Sequence, residues 1–192
     1  MTKAFLFFLA SGLCSLTISA QTLRDALQNK DTALAIQLIH GGADVNEKSK
    51  EGATLLMEYC HFPDVPMASF LLRHGAKPEA ARSPKGRTAL MVACAYWCGL
   101  DMVKLLVTYG ADVNAKAADG STPLMLAAMN EKQDVVDYLL SRGANAKAGD
   151  AKGQTALDYA RKGKVEDYMV SSVKDTRFNK EAVMSSLQAA MK

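Results

Sequence analysis

One stretch recurs along this chain and constrains its folding more than any other feature. Asp119-Gly-Ser-Thr-Pro-Leu-Met-Leu-Ala-Ala-Met-Asn130 has counterparts before and after it. They are Gly52-Ala-Thr-Leu-Leu-Met-Glu-Tyr-Cys60, Gly86-Arg-Thr-Ala-Leu-Met-Val-Ala-Cys94 and Gly153-Gln-Thr-Ala-Leu-Asp-Tyr-Ala-Arg161. A second marker keeps the same beat: Gly42-Ala-Asp-Val-Asn46, Gly75-Ala-Lys77, Gly110-Ala-Asp-Val-Asn114 and Gly143-Ala-Asn145. Two interleaved signatures at a spacing of about 33 residues specify a stacked array and not a single closed core.

Each unit follows one physical plan. A glycine permits the turn into a first helix. Thr54, Thr88, Thr122 and Thr155 are placed to cap that helix, and Pro123 suits a first helical position. Ala93, Ala127 and Ala128 let helices approach closely. Second helices carry the bulk: Met67, Phe70, Leu71 and Leu72; Met102, Val103, Leu105, Leu106 and Val107; Val135, Val136, Tyr138, Leu139 and Leu140. Gly75, Gly110 and Gly143 then end those helices. The first unit lacks Gly-x-Thr, as a capping unit can. Its apolar positions are Leu23, Ala26 and Leu27, then Leu34, Leu38 and Ile39.

Gly-x-Thr-Pro-Leu with Ala-Ala, an apolar second helix and Gly-Ala-Asp-Val-Asn resembles the ankyrin repeat. The resemblance implies an all-α solenoid of about five helix-turn-helix units with β-turn or hairpin loops. The units fall at about 21–48, 49–82, 83–116, 117–149 and 150–173, followed by a capping helix at 174–192. In the fifth unit the second half is degenerate, with Val165, Tyr168, Met169, Ser172 and Val173 on one side. Asn179 is placed to cap the final helix, whose apolar face is Val183, Leu187, Ala190 and Met191. That helix reads as a lid on the open end of the stack, or as a docking helix. Where the family has a histidine that ties neighbouring loops, this chain has Met57, Met91, Met125 and Asp158. A ladder of polarizable thioethers is therefore expected in place of that tie.

Two irregularities break the period. Lys77 to Pro84 replaces the Asp-Val-Asn turn, and Tyr96-Trp97-Cys98-Gly99 lengthens the link between the helices of the third unit. Insertions in arrays tend to collect on one face, often the binding face.

Met1 to Ala20 reads as a secretory leader: Lys3, an uncharged apolar run from Ala4 to Leu16, and Thr17-Ile-Ser-Ala20 before the expected cut. The run is short of the roughly 20 residues a spanning helix needs. Periplasmic or secreted localisation follows as the expectation, with no membrane attachment after cleavage. The net charge is +3, of which Lys3 supplies one. That is too little to argue for nucleic acid as the partner.

No hydrolase elbow, phosphate loop or metalloprotease pair is present in the sequence. The expected protein is non-enzymatic and uses neither cofactor nor metal. The rival reading is a thiol- or metal-dependent redox enzyme using His61, Cys94 and Cys98, with Cys60 nearby. It lacks the paired Cys-x-x-Cys spacing of a zinc site. Cys60 and Cys94 are repeat-equivalent, about 10 Å apart by helix packing and beyond disulfide reach. Cys60 reads as a small buried hydrophobe, while a Cys94–Cys98 bond is left open. His40 and His74 end second helices, where a cation suits the dipole.

Ankyrin proteins typically bind protein partners through turn tips and the exposed side of the first helices. Carried over residue by residue, the resemblance implies a concave surface of Lys50, Glu51 and Ala53 with His61 and Phe62. Lys85 and Arg87 with Tyr96 and Trp97 come next, then Asp119, Ser121, Met129 and Asn130, and last Lys152 and Gln154. Phe62, Tyr96 and Trp97 are the expected hot spot, because aromatic side chains supply large rigid area. Trp97 folding back over its own loop is the competing expectation. Exported bacterial proteins of this family resemble two groups: one associated with peroxide tolerance, the other toxin-neutralising immunity proteins.

Overall fold

The computed structural model describes residues 22–79, 85–96, 98–163 and 179–192. The expected leader, the end of the Lys77 to Pro84 stretch, Trp97 and the segment carrying Val165, Tyr168, Met169, Ser172 and Val173 lie outside the described residues. Ten helices fall among those described: α1 (Leu23–Gln28), α2 (Thr32–His40), α3 (Leu55–His61), α4 (Val65–Arg73), α5 (Ala89–Ala95), α6 (Leu100–Thr108), α7 (Pro123–Met129), α8 (Gln133–Ser141), α9 (Ala156–Lys162) and α10 (Lys180–Ala190). The described residues contain no strand, only an isolated antiparallel bridge between Lys48 and Thr54. The chain divides into a compact unit ending at Val45 and another beginning at Asn46.

The first unit is the hairpin of α1 and α2. Thr22 and Asp25 form a reciprocal capping box, each side chain bonding the other's backbone N–H at 3.1 Å. Lys30, at φ +57°, turns the chain, and Asp31 caps α2. Leu23, Ala26, Leu27, Ala35 and Leu38 are buried, whereas Leu34 and Ile39 are only half-buried.

The second unit is the stacked array. First helices α3, α5, α7 and α9 pack in succession, and second helices α4, α6 and α8 do the same beside them. The hydroxyls of Thr54, Thr88 and Thr122 each accept the N–H of the methionine three residues on, all at 3.3 Å. Those methionines, Met57, Met91 and Met125, are buried along the row of first helices. Their thioethers fill space, and the polar tie between repeats is made elsewhere. Asn46 donates to the carbonyl of Gly75 at 3.1 Å and accepts the N–H of Lys77 at 2.9 Å. Asn114 repeats the bridge, donating to Gly143 at 3.0 Å and accepting from Asn145 at 2.8 Å. Asp158, in the last position of the methionine series, instead closes a capping box with Thr155.

An Asn114→Ala variant loses both bonds of its bridge and is expected to unfold about 1–2 kcal/mol more easily. Urea titration checks this, and wild-type stability in the variant would show that the bridge is idle.

Loop tips stack by main-chain contact. The N–H of Ala118 donates to Lys85 at 3.1 Å, and that of Ala151 to Asp119 at 3.0 Å. Gly86 and Gly120 make room for this: a Cβ on either would meet the next loop's backbone nitrogen, at 2.8 Å and 2.7 Å.

Helix α10 packs on α9 and α8 at the end of the array. Val183 and Leu187 are completely buried there, while Ala190 is exposed and Met191 half-buried. Asn179 caps α10 by accepting the N–H of Ala182 at 3.0 Å, and Lys180 donates to the carbonyl of Arg161 at 2.8 Å.

Candidate binding groove

A shallow groove of about 360 Å³ lies across the second and third repeats of the array, lined by Ala53, Met57, Glu58, His61, Phe62, Lys85, Arg87, Val92 and Tyr96. Helical periodicity builds it. Met57 and His61 lie one turn apart on or at the end of α3, and Val92 and Tyr96 are spaced likewise on and just beyond α5. Met57 and Val92 form a buried floor, and the residues a turn later rise as a wall. Phe62 and Tyr96 are the C-caps of their helices, where the chain leaves helical geometry and turns side chains outward.

The wall is aromatic. The His61 ring stands 4.0 Å from that of Tyr96 at 62° and 4.6 Å from that of Phe62 at 75°, both edge-on contacts. Phe62 is 74% exposed, a large apolar surface left to solvent. Lys85 and Arg87 come from the third repeat's loop tip, and Glu58 adds a carboxylate on α3.

The other described residues of the expected surface do not join the groove. Lys50 and Glu51 are exposed at a loop tip, where Glu51 accepts from the Ser49 hydroxyl at 2.9 Å. Asp119 is exposed but engaged, accepting the N–H of Ser121 at 2.9 Å and its hydroxyl at 2.6 Å. Those bonds hold the Asp119 carboxyl below its ordinary range. Ser121 corrects the expectation of an exposed contact: it is 1% exposed, because its hydroxyl turns back to close the loop. Met129 and Asn130 are half-buried, and the Asn130 amide donates to the Leu126 carbonyl at 2.7 Å, ending α7. Lys152 is exposed and Gln154 half-buried, and the N–H groups of both donate to Asp150 at 2.8 Å. Met57, Glu58 and Val92 join the groove without belonging to the surface expected from sequence. For Met57 and Val92 the available signal is their one-turn spacing to His61 and Tyr96.

Behind the wall lie the cysteines. Cys60, Cys94 and Cys98 are buried free thiols, and the Cys98 thiol donates to the carbonyl of Cys60. Burial pushes the Cys60 thiol well up, Cys94 to about 12 and Cys98 to about 11. Reactive thiols need the opposite, an accessible sulfur with a lowered pKa. Iodoacetamide at neutral pH is therefore expected to leave all three unmodified in the folded protein and to alkylate them in denaturant. Rapid alkylation without denaturant would contradict this. His61 turns to the aromatic rings, and among the described residues no three His, Cys, Asp or Glu side chains converge as a metal-holding group. His74 caps α4 with its ring 4.5 Å from Phe70, a local packing role. No helix among the described residues is long and apolar enough to cross a membrane.

Nothing in the sequence pattern points to Lys132. Only 7% exposed, its ammonium donates to the carbonyls of Ala93 and Cys98, each at 3.1 Å, and to that of Tyr96. Burial pushes this lysine below its ordinary range.

A succession of short helical hairpins joined by stacked loop tips, with a groove on the first-helix side, defines a repeat solenoid built for binding. The chain belongs to the ankyrin repeat family: the family model for ankyrin repeats (3 copies) matches residues 23–117 and 98–170. That family is generally a non-enzymatic interaction fold. An ankyrin repeat protein of Rickettsia bellii is 28% identical over 95% of this chain and 55% of its own length. Human BCL-6 corepressor-like protein 1 is 29% identical over 65% of this chain, but over only 7% of its own length. Human mitochondrial disaggregase is 40% identical over 36% of this chain and 10% of its own length. The chain thus spans about half of the bacterial relative and a small part of the human ones.

Proposed function

We propose that this protein is a binding module that takes a segment of a protein partner in the groove between α3 and α5. The observation that carries this is the aromatic wall: Phe62 is largely exposed beside His61 and Tyr96, over an apolar floor, with Lys85 and Arg87 alongside. Exposed aromatics around an apolar centre with a charged rim are the usual composition of an interface hot spot. Trp97 enters the proposal through sequence adjacency to Tyr96 alone. The module acts after export, on the strength of the leader-like Met1 to Ala20. An intact N-terminus on protein recovered from the cytoplasm would refute that part.

The test is a random peptide library displayed on phage and selected against the purified protein, alongside capture of partners from the native cell. Peptides that bind through the groove are expected to lose about 2 kcal/mol of affinity on Phe62→Ala, with the fold intact. Binders indifferent to Phe62 and Tyr96 substitutions would place the partner elsewhere. The peroxide-tolerance and toxin-immunity roles are finer versions of the same proposal, and the captured partner separates them.

A further inference from the structure

Lys132 sits where local chemistry argues against a cation. It is the N-cap of α8, where side-chain oxygens are favoured and the helix dipole opposes positive charge, and it makes no cap hydrogen bond. Glu131 before it holds a φ of +54° to bring it there. What the position provides is reach. The ammonium meets carbonyls at the C-terminal end of α5 and in the loop beyond, groups that an ending helix leaves without partners. All three of its protons are used. On the other side of the same loop, the Cys98 thiol is tied to the carbonyl of Cys60, the residue before His61. The lengthened link of the third repeat is therefore pinned from both neighbouring repeats, and Tyr96 lies within the pinned stretch.

We propose that Lys132 is the positioning residue of the aromatic wall: by holding the loop carbonyls it sets where Tyr96 presents its ring to His61, and so tunes what the groove accepts. Its importance for binding rests on the groove being the partner surface; its geometric role does not. A purely structural lysine would stabilise the array and leave the wall unchanged when replaced. A positioning lysine moves the wall in protein that is still folded.

The experiment uses the full chain and nuclear magnetic resonance. In Lys132→Met, whose side chain is of similar length and cannot donate, the His61–Tyr96 ring cross-peak is expected to disappear and the His61 ring resonances to shift. The Phe70–His74 contact, made by α4 and its cap, is expected to persist as the internal control. A groove-dependent peptide from the phage selection should bind at least tenfold more weakly. An unchanged His61–Tyr96 cross-peak overturns the proposal, as does a changed one with unchanged peptide affinity. If no selected peptide depends on the groove, the proposed function fails and the cross-peak still decides the geometric claim. Should Lys132→Met not fold, hydrogen exchange of the wild-type Lys132 ammonium decides instead. Slow exchange supports the three-carbonyl clamp, and exchange at the rate of a solvated lysine overturns it.

Discussion

Replacing Gly120 by alanine is expected to lower the unfolding free energy by about 2–5 kcal/mol. Two costs add. Gly120 has a φ of +79°, a conformation that strains any side chain. The new Cβ would also lie 2.7 Å from the Ala151 nitrogen and 3.0 Å from the Asp150 carbonyl carbon, both backbone atoms. The loops must part, and the bond from Ala151 to Asp119 lengthens or breaks. Gly143→Ala separates the two costs, since Gly143 has a φ of +85° and a Cβ added there would meet nothing within 4 Å. It should cost about 1 kcal/mol, from strain alone. Denaturant titrations followed by circular dichroism compare them. Equal losses in the two variants would mean that the close stacking of loop tips contributes nothing.

The other large effect is expected at the end of the stack. Leu187→Asp places a carboxylate in a fully buried position on the apolar face of α10, beside the equally buried Val183 one turn back. The burial of a leucine is lost and an uncompensated charge is gained, together about 4 kcal/mol or more. Because contacts in an array run between neighbours, the damage should concentrate in α8, α9 and α10. Amide exchange in those helices is expected to accelerate far more than in α3 and α5. Gln188→Asp, one residue on and exposed, should stay within about 0.5 kcal/mol. Similar behaviour in the two variants would contradict the packing of α10.

What repeats was legible in the sequence. The threonine caps, the buried methionines and the bulky second-helix positions recur at the same beat, so each unit corroborates the others. Features that occur once were harder to see. Lys132 occupies an ordinary polar position, and its partners are main-chain carbonyls, which leave no residue-type signal. Helix α10 shows an apolar face, but periodicity says only that the face is buried and not which helices cover it. Ser121 reads as an exposed loop residue because its small side chain can either face solvent or fold back on Asp119. The groove itself was half legible: the family resemblance implies one surface from Lys50 to Gln154, and of it Ala53, His61, Phe62, Lys85, Arg87 and Tyr96 line the groove, whereas Met129 and Gln154 do not.

The asparagine bridges bear on how such an array is inherited. Asn46 and Asn114 address a carbonyl and an N–H of the following repeat, main-chain groups that survive nearly any change of side chain. A repeat that follows either asparagine therefore meets a joint that does not depend on its own side chains. The side chains around the groove are free to drift toward a new partner while the joints between units stay in register.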